Sequence, residues 1–469
     1  MKRRDFFKNS TLVAAGSLLA PLYGFSAETD LAGSSAGTAK NIIFLVSDGM
    51  SIGTLTLANL FAQRKFGKAT NWISLYEQQK AVRALMDTAS ADALVTDSAA
   101  ASSAWGGGVR VNNGAINVGP DGTFHKPILQ KFKDAGKAVG CVTSVPITHA
   151  TPAGFCVNSD ARSDQDGIAL QYLDLRFDVM LGGGEEFFDG TKRKDKKDLF
   201  KAFKEKGYSV LRNRKELQAQ DLKETRPVLG VFYEDGLPYA LDRNSSSELT
   251  AQTPSLAEMT KTAIQLMDGK KNGFVLQVEG GKVDWAAHAN DAGALISDQL
   301  AFDEAVGVAV EFANRDKNTL VIITTDHGNA NPGLFSAEGD VNANFDRFMS
   351  FKQTNEWVLK GITKNDSPAQ VIDRIEAAQK LVFSKADAAE ILSHYSKLDD
   401  TGLYNPKKLP FKLYGELQSK HTSVSFGSMN HSADFVELAM LGPGSEELKP
   451  FVKNTDLHNF MLKATGVMK

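Results

Sequence analysis

The sequence predicts an α/β fold in three layers: a large, mostly parallel central sheet with helices on both faces. Three observations carry this. Short apolar runs alternate with helix-like patterns along most of the 469 residues, the rhythm of strand–crossover–strand units. Three of those runs end at or just before a carboxylate, Asp48, Glu279 and Asp326, and open α/β sheets bind ligands beyond the carboxyl ends of their strands. A polar stretch, residues 342–427, interrupts the rhythm between two apolar runs, as a cap inserted over a site would.

The chain opens on Lys2-Arg3-Arg4-Asp5-Phe6-Phe7-Lys8, followed by a modest apolar stretch, 11–25, and small residues around Ala27. This order resembles a twin-arginine export signal over residues 1–27. The apolar stretch is short, and Gly16 and Pro21 interrupt it, so it does not suit a membrane span. No later run does either. The expectation is an exported, soluble protein of the periplasm with no stable membrane anchor. Residues 28–40, rich in Ala, Gly and Ser, read as a flexible leader, and 41–469 as the folded domain.

Composition excludes some classes. With 42% hydrophobic and 23% charged residues, the balance is that of an ordinary globular protein. The formal charge is −3, and losing 1–27 removes four bases against one acid, leaving about −6. No basic stripe offers itself to nucleic acid. The charged run 192–197 reads as a solvated face. Export permits a disulfide between Cys141 and Cys156, yet both lie in apolar surroundings, and two small buried hydrophobes is the default reading.

Strands are expected at 42–46, 138–144, 177–181, 274–278, 320–325 and 435–441, each a short run of apolar, often β-branched residues. Gly273 and Gly280-Gly281 bracket the fourth as turn residues. Helices are expected at 98–105, 127–135, 256–267, 284–314 and 368–381. The fourth carries apolar positions at Leu295, Leu300, Phe302, Val306, Val310 and Phe312. Residues 191–247, charged and mixed, suggest peripheral helices and hairpins. Within 342–427, turns are expected at 399–402 and 405–408.

Three carboxylates gathered at one sheet edge crowd negative charge, which cations relieve. Histidines accompany them: His327 follows Asp326 directly, and His288 lies four residues after Asp284, on the same helical face. Mixed His/Asp ligation suits zinc, and carboxylates with a hydroxyl suit magnesium. In Val95-Thr96-Asp97-Ser98-Ala99-Ala100-Ala101, Ser98 opens an alanine-rich helix, where free N–H groups favour an anion. The plain alternative is an N-cap made by Asp97 or Ser98.

That stretch does not stand alone. Together with 41–53 it resembles the alkaline phosphatase family, which carries an Asp-Gly after the first strand and an Asp-Ser-Ala at the nucleophile. The resemblance continues through Ile147-Thr148-His149-Ala150-Thr151-Pro152, Arg162, Gln277-Val278-Glu279-Gly280, Asp284, His288, Thr325-Asp326-His327 and His431. These blocks keep the family's order from 41 to 444, nearly the whole folded domain.

The resemblance implies hydrolysis of phosphate monoesters through a phosphoserine, with two zinc ions and one magnesium ion as cofactors. Asp284, His288 and His431 would hold one zinc, and Asp48, Asp326 and His327 the other. Ser98 would be the nucleophile at the second zinc. Asp48, Thr151 and Glu279 would hold magnesium, and Arg162 would grip the phosphoryl oxygens as both catalytic and substrate-binding residue. His149, two residues before Thr151, would tune the magnesium site from outside it. Homodimers are common in the family, which makes a second copy of the chain a candidate partner.

His421-Thr422 rivals His431-Ser432 for the last ligand, because family members usually have His-Thr-Gly there. His431 is preferred because the run 435–441 and Gly442-Pro443-Gly444 follow it at the family's spacing. His125, His394, His421 and His458 read as surface or loop residues. Two departures concern residues beside the ligands. Trp285 follows Asp284 where some members carry lysine or histidine, and Asn329 replaces a histidine often found two residues after His327.

Relatives on the same scaffold fit less well. A sulfatase needs a Cys/Ser-x-Pro-x-Arg context that neither cysteine has, and phosphodiesterases typically use threonine and lack the third metal. A non-catalytic phosphate- or metal-binding protein is the alternative from another class.

Overall fold

The computed structural model of the protein describes residues 39–223, 225–336, 339–395 and 408–468. The export signal and leader residues 28–38 lie outside these, as do the turn 399–402 and residues 405–407 of the next one. Ala39, placed in the leader by sequence, is buried, and its N–H donates to the Ala464 carbonyl.

The strands in chain order are β1 (Asn41–Val46), β2 (Val82–Met86), β3 (Ala138–Pro146), β4 (Val179–Gly183), β5 (Ser209–Leu211), β6 (Val228–Val231) and β7 (Phe274–Glu279). There follow β8 (Thr319–Thr324), β9 (Gly328–Asn329), β10 (Pro332–Leu334), β11 (Val424–Phe426), β12 (His431–Ser432), β13 (Val436–Leu441) and β14 (Phe451–Val452). Ten make the central sheet, in the order β14-β2-β13-β8-β1-β7-β3-β4-β6-β5. Only β13 runs antiparallel to its neighbours there, β8 and β2. This is the expected large, mostly parallel α/β sheet.

Period-two alternation assigns the two faces of the central strands. Ile42 and Phe44 of β1 join Val139, Trp105, Phe155 and Ile168 in one apolar layer. Ile43 and Leu45 join Val278, Met259, Phe302 and Val306 in the other. Strands buried on both faces read as continuous apolar runs, which is why β1, β3, β7, β8 and β13 were visible in sequence.

Four strands of the central sheet were not. β2, β5, β6 and β14 are two to five residues long, too short for periodicity to register. The expected hairpins in 191–247 are absent among the described residues. β5 and β6 instead pair in parallel and extend the main sheet beyond β4. The helix expected over 284–314 is two helices, Lys282–His288 and Ala292–Asp316. Asn290 takes a left-handed φ of 47°, which asparagine tolerates, and Asp291 caps the second helix by accepting from Ala294 N–H. Asp284 and His288 stay together on the first.

Between β8 and β13, the helices Val341–Asp346, Asn355–Lys360, Pro368–Gln379, Lys385–Tyr395 and Phe411–Thr422 gather around their own apolar cluster, which also takes in Leu57, Phe61 and Ile296. The antiparallel pair β10–β11 closes its base. Cys141 and Cys156 are buried free thiols with Sγ atoms 3.3 Å apart. His458 departs from the surface reading. It is 3% exposed, with Nδ1 2.8 Å from the Trp105 carbonyl and Nε2 2.8 Å from Lys131 Nζ. Burial pushes its imidazole down to about 4, so it is neutral.

Asp298, on the long helix and 7% exposed, accepts from Ala240 N–H. Burial pushes its carboxyl up to about 7 despite the opposing charge of Lys282. A carboxyl raised in the folded state contributes stability that is full below the unfolded value near 4 and lost as pH rises through 7. Asp298→Asn removes this dependence. Its unfolding free energy relative to wild type, at equal metal loading, is expected to climb between pH 4 and 8 by up to about 4 kcal/mol. A flat difference in melting temperature across that range would refute the assignment.

Candidate active site

β8, β1 and β7 are adjacent, with Val46 of β1 level with both Thr324 and Glu279. Their carboxyl ends therefore deliver Asp326, Asp48 and Glu279 to one crevice, as the sequence pattern predicted. Asp48, Glu279, Asp326 and His327 are at most 1% exposed. Gly49 lets the chain turn away immediately after Asp48. Its φ is +66°, and a Cβ there would lie 2.4 Å from Asp284 Oδ1, so any other residue would displace Asp284.

Three groups converge. Asp48, Asp326 and His327 offer ligand atoms within 4.8 Å of one another, as do Asp48, His149 and Glu279. In the third, His288 Nε2 lies 3.1 Å from His431 Nε2 and 3.4 Å from Asp284 Oδ2, and His431 Nε2 is 3.5 Å from Asp284 Oδ1. Asp284, His327 and His431 likewise fall within 4.8 Å, so His327 bridges two of the groups. Asp48 belongs to two as well.

Within these groups, Asp48 Oδ1 and Oδ2, Thr151 Oγ1, Glu279 Oε1, Asp326 Oδ2 and His149 Nδ1 are buried with no hydrogen-bond partner. A buried carboxylate without a partner costs several kcal/mol. So many orphaned oxygens aimed at shared points fit cations well. Imidazole nitrogens with carboxylates at two points match the donor preference of zinc, and the carboxylates of Asp48 and Glu279 match that of magnesium, with the His149 imidazole also in reach there.

Electrostatics without ions expresses the same demand. Burial, with the charges of Asp326, Asp284 and Glu279, pushes the Asp48 carboxyl well up. For Asp284 burial acts upward too, but the hydrogen bond from His431 and the charges of His288 and His327 outweigh it and hold it below the ordinary range. His431 is pushed up to about 8, its burial overcome by Asp284.

The other ligand positions are fixed locally. His431 Nδ1 lies 2.9 Å from the Thr96 carbonyl and His288 Nδ1 2.6 Å from that of Met429, which orients each Nε2 inward. Asn329 Nδ2 donates to Asp284 Oδ1 at 2.7 Å, and β9 pairs Asn329 with His431 across β12. His421 is stacked on Phe383 with centroids 5.2 Å apart, away from these groups. His149 is closer than expected of a tuning residue. Its Nδ1 is 3.9 Å from Glu279 Oε1, within ligand reach.

Ser98 begins the helix Ser98–Gly106, and Asp97, not Ser98, caps it by accepting from Ala100 N–H at 2.9 Å. Ser98 Oγ is left facing His327 Nε2 at 3.3 Å. Phe44 packs on both Trp105 and Phe155, with centroids 5.1 Å apart in each case. This seats the Ser98 helix and the Thr151 helix (Ala150–Cys156) over β1. Arg162 donates from Nη1 to Asp97 Oδ2 at 3.0 Å, and its Nη2 lies 3.2 Å from His149 Nε2.

Two braces were missed in sequence. Asn113 accepts from Asp97 N–H and donates to the Val95 carbonyl, holding the loop before Ser98. Thr143 Oγ1 donates to Glu279 Oε2. A lone Asn in a turn and a Thr inside a strand carry no sequence signal for such roles. The groove above these groups has a volume of about 530 Å³, and Ser98, Arg162, His149, Asp284, Trp285, His288 and His431 line it. None of the described residues of 342–427 lines it.

An α/β fold with groups of candidate metal ligands at the carboxyl edge of its sheet suits a hydrolase. The sequence model of the alkaline phosphatase family matches residues 39–467. Alkaline phosphatase 4 of Bacillus subtilis is 32% identical over 483 residues, 99% of each chain. The streptomycin-6-phosphate phosphatase of Streptomyces griseus is 31% identical and aligns with 68% of this chain and 80% of its own. The crystal structure of Thermus thermophilus alkaline phosphatase superposes with a TM-score of 0.85 at 31% identity, covering 96% of both chains. The chain belongs to the alkaline phosphatase family and is a phosphatase.

Proposed function

We propose that the protein hydrolyses phosphate monoesters by double displacement through a phosphoserine at Ser98, with two zinc ions and one magnesium ion. The observation that carries the reading is the gathering of candidate ligands into three groups beside Ser98, two of them holding buried atoms with no hydrogen-bond partner. Asp284, His288 and His431 would hold one zinc, Asp48, Asp326 and His327 the other, and Asp48, Thr151 and Glu279 the magnesium, with His149 in reach of it. When bound, these ions supply Lewis-acid stabilisation for the attacking and departing oxygens.

The chain's own residues do the rest. Asp97 fixes Arg162 through Nη1, leaving guanidinium N–H groups to grip two phosphoryl oxygens. Ser98 Oγ attacks phosphorus in line, the ester P–O bond breaks and the alcohol departs. Water then attacks phosphorus from the vacated side, the bond to Ser98 breaks, and inorganic phosphate leaves. Two inversions give net retention.

The test compares p-nitrophenyl phosphate with its bis ester on protein reconstituted with zinc and magnesium. Strong preference for the monoester at alkaline pH is expected. Preference for the diester would overturn the monoester reading, and no turnover of either would favour a binding protein.

Asn329 supplies a further check. Asn329→Ala frees Asp284 Oδ1, and affinity for the zinc at Asp284, His288 and His431 is expected to fall about 10- to 100-fold, measured by chelator competition. Unchanged affinity would show that Asp284 needs no brace.

Residues 1–27 are proposed to export the chain to the periplasm. Among the described residues, no helix is long and apolar enough to cross a membrane. Residues 342–427 are proposed to cap the site from its rim, through the segment Met429–Asn430–His431 that β11 leads into. A homodimer is the proposed assembly.

A further inference from the structure

Among the residues that line the groove, Trp285 alone carries a large aromatic hydrocarbon surface. Its indole is held from three sides. Lys282 Nζ, buried, sits 4.3 Å from the indole centroid and 3.7 Å from that of Tyr239. Gly236 presses on another side, where even a Cβ would come within 3.1 Å of Trp285 Cζ3. His149 meets it edge-on, with ring planes at 74° and centroids 6.2 Å apart. The half-buried indole keeps its remaining surface for the groove.

Placement gives this surface a use. Trp285 adjoins Asp284 on one helix, with His288 one turn on, and its neighbour His149 touches Arg162. An alcohol leaving a phosphoryl group gripped by Arg162 and flanked by Asp284 and His288 has the indole beside it. Val95, 40% exposed, adds apolar surface to the same groove. A ring fixed before the ligand arrives loses no rotamer freedom on binding, so contact with a planar partner translates into affinity.

We propose that Trp285 is a specificity-determining platform for the leaving group, selecting phosphate monoesters whose alcohol carries a planar ring close to the ester oxygen. This rests on the phosphatase reading of the same groove. Lys282, Gly236 and His149 act as its braces and make no contact with the ring of the substrate.

The experiment uses the zinc- and magnesium-loaded protein with 2-phenylethyl phosphate and n-butyl phosphate, alcohols of similar acidity. Wild type is expected to favour the phenyl ester in kcat/KM by about three- to tenfold. Trp285→Ala is expected to bring that ratio close to one, and Trp285→Phe to keep most of it. A wild-type ratio near one, or a Trp285→Ala loss shared equally by both esters, would overturn the proposal. Binding of 2-phenylethylphosphonate against butylphosphonate, each displaced by inorganic phosphate, reads the same ratio without turnover. If neither ester is hydrolysed but the phosphonate ratio stays high and depends on Trp285, the phosphatase reading fails and the platform stands. A phosphonate ratio near one sinks the platform whatever the turnover.

Discussion

Ser98→Ala is expected to lower kcat for phosphate monoesters by at least about 10³-fold, leaving a residue of activity from positioning alone. The side chain is small and buried at a helix start whose cap belongs to Asp97, so the fold has little reason to change. Ser98 contributes one oxygen, facing His327, and alanine removes that oxygen and nothing else. Brief incubation with ³²P-labelled substrate followed by acid quenching should label wild type and leave the variant unlabelled. Full activity in Ser98→Ala, or equal labelling, would remove the covalent intermediate from the mechanism.

Asp48→Asn should be as severe, for a different reason. Asp48 takes part in two of the three converging groups, and both its oxygens lack hydrogen-bond partners. An amide keeps the shape but offers one neutral oxygen and a donor, so two cation positions weaken at once. Loss of two of three ions and at least about 10³-fold in kcat is expected, because second- and first-sphere changes at metal sites cost orders of magnitude. Metal analysis after dialysis, beside Asp326→Asn as a variant touching one of Asp48's two groups, decides it. Three ions retained in Asp48→Asn would mean that Asp48 is no shared ligand. Chelation of wild type should likewise abolish turnover and lower the melting temperature, since ions that bind the folded state stabilise it by mass action.

The sequence disclosed most of the interior and most of the residues that gather at the candidate site, for physical reasons. β1, β7 and β8 are buried on both faces, so burial wrote itself into unbroken apolar runs. The residue after such a run is where a functional side chain must stand. Asp284 and His288 were legible because one helical turn separates them. What stayed hidden was either short or relational. The edge strands β5 and β6 have three and four residues. The break before Ala292 depends on one left-handed Asn290 inside an otherwise helical pattern. Thr143 and the buried His458 act through partners far along the chain, and no local pattern encodes a distant partner. His149 was legible as a neighbour of the site, while its distance to Glu279 was not.

The register of β1 has a bearing on how the protein is made. Ile42 pairs with Val275 on one side and Leu320 on the other, so the first strand to leave the ribosome must wait for some 230 to 280 residues before it has either neighbour. His431 comes later still. Until then Asp48 is a solitary carboxylate on an unpaired apolar segment, with nothing to share an ion with. Pairings of such long range form slowly and leave strand edges exposed in the meantime. No chain that stops short of His431 can complete the group of Asp284, His288 and His431. Completion of that group therefore waits until synthesis has run almost to the end.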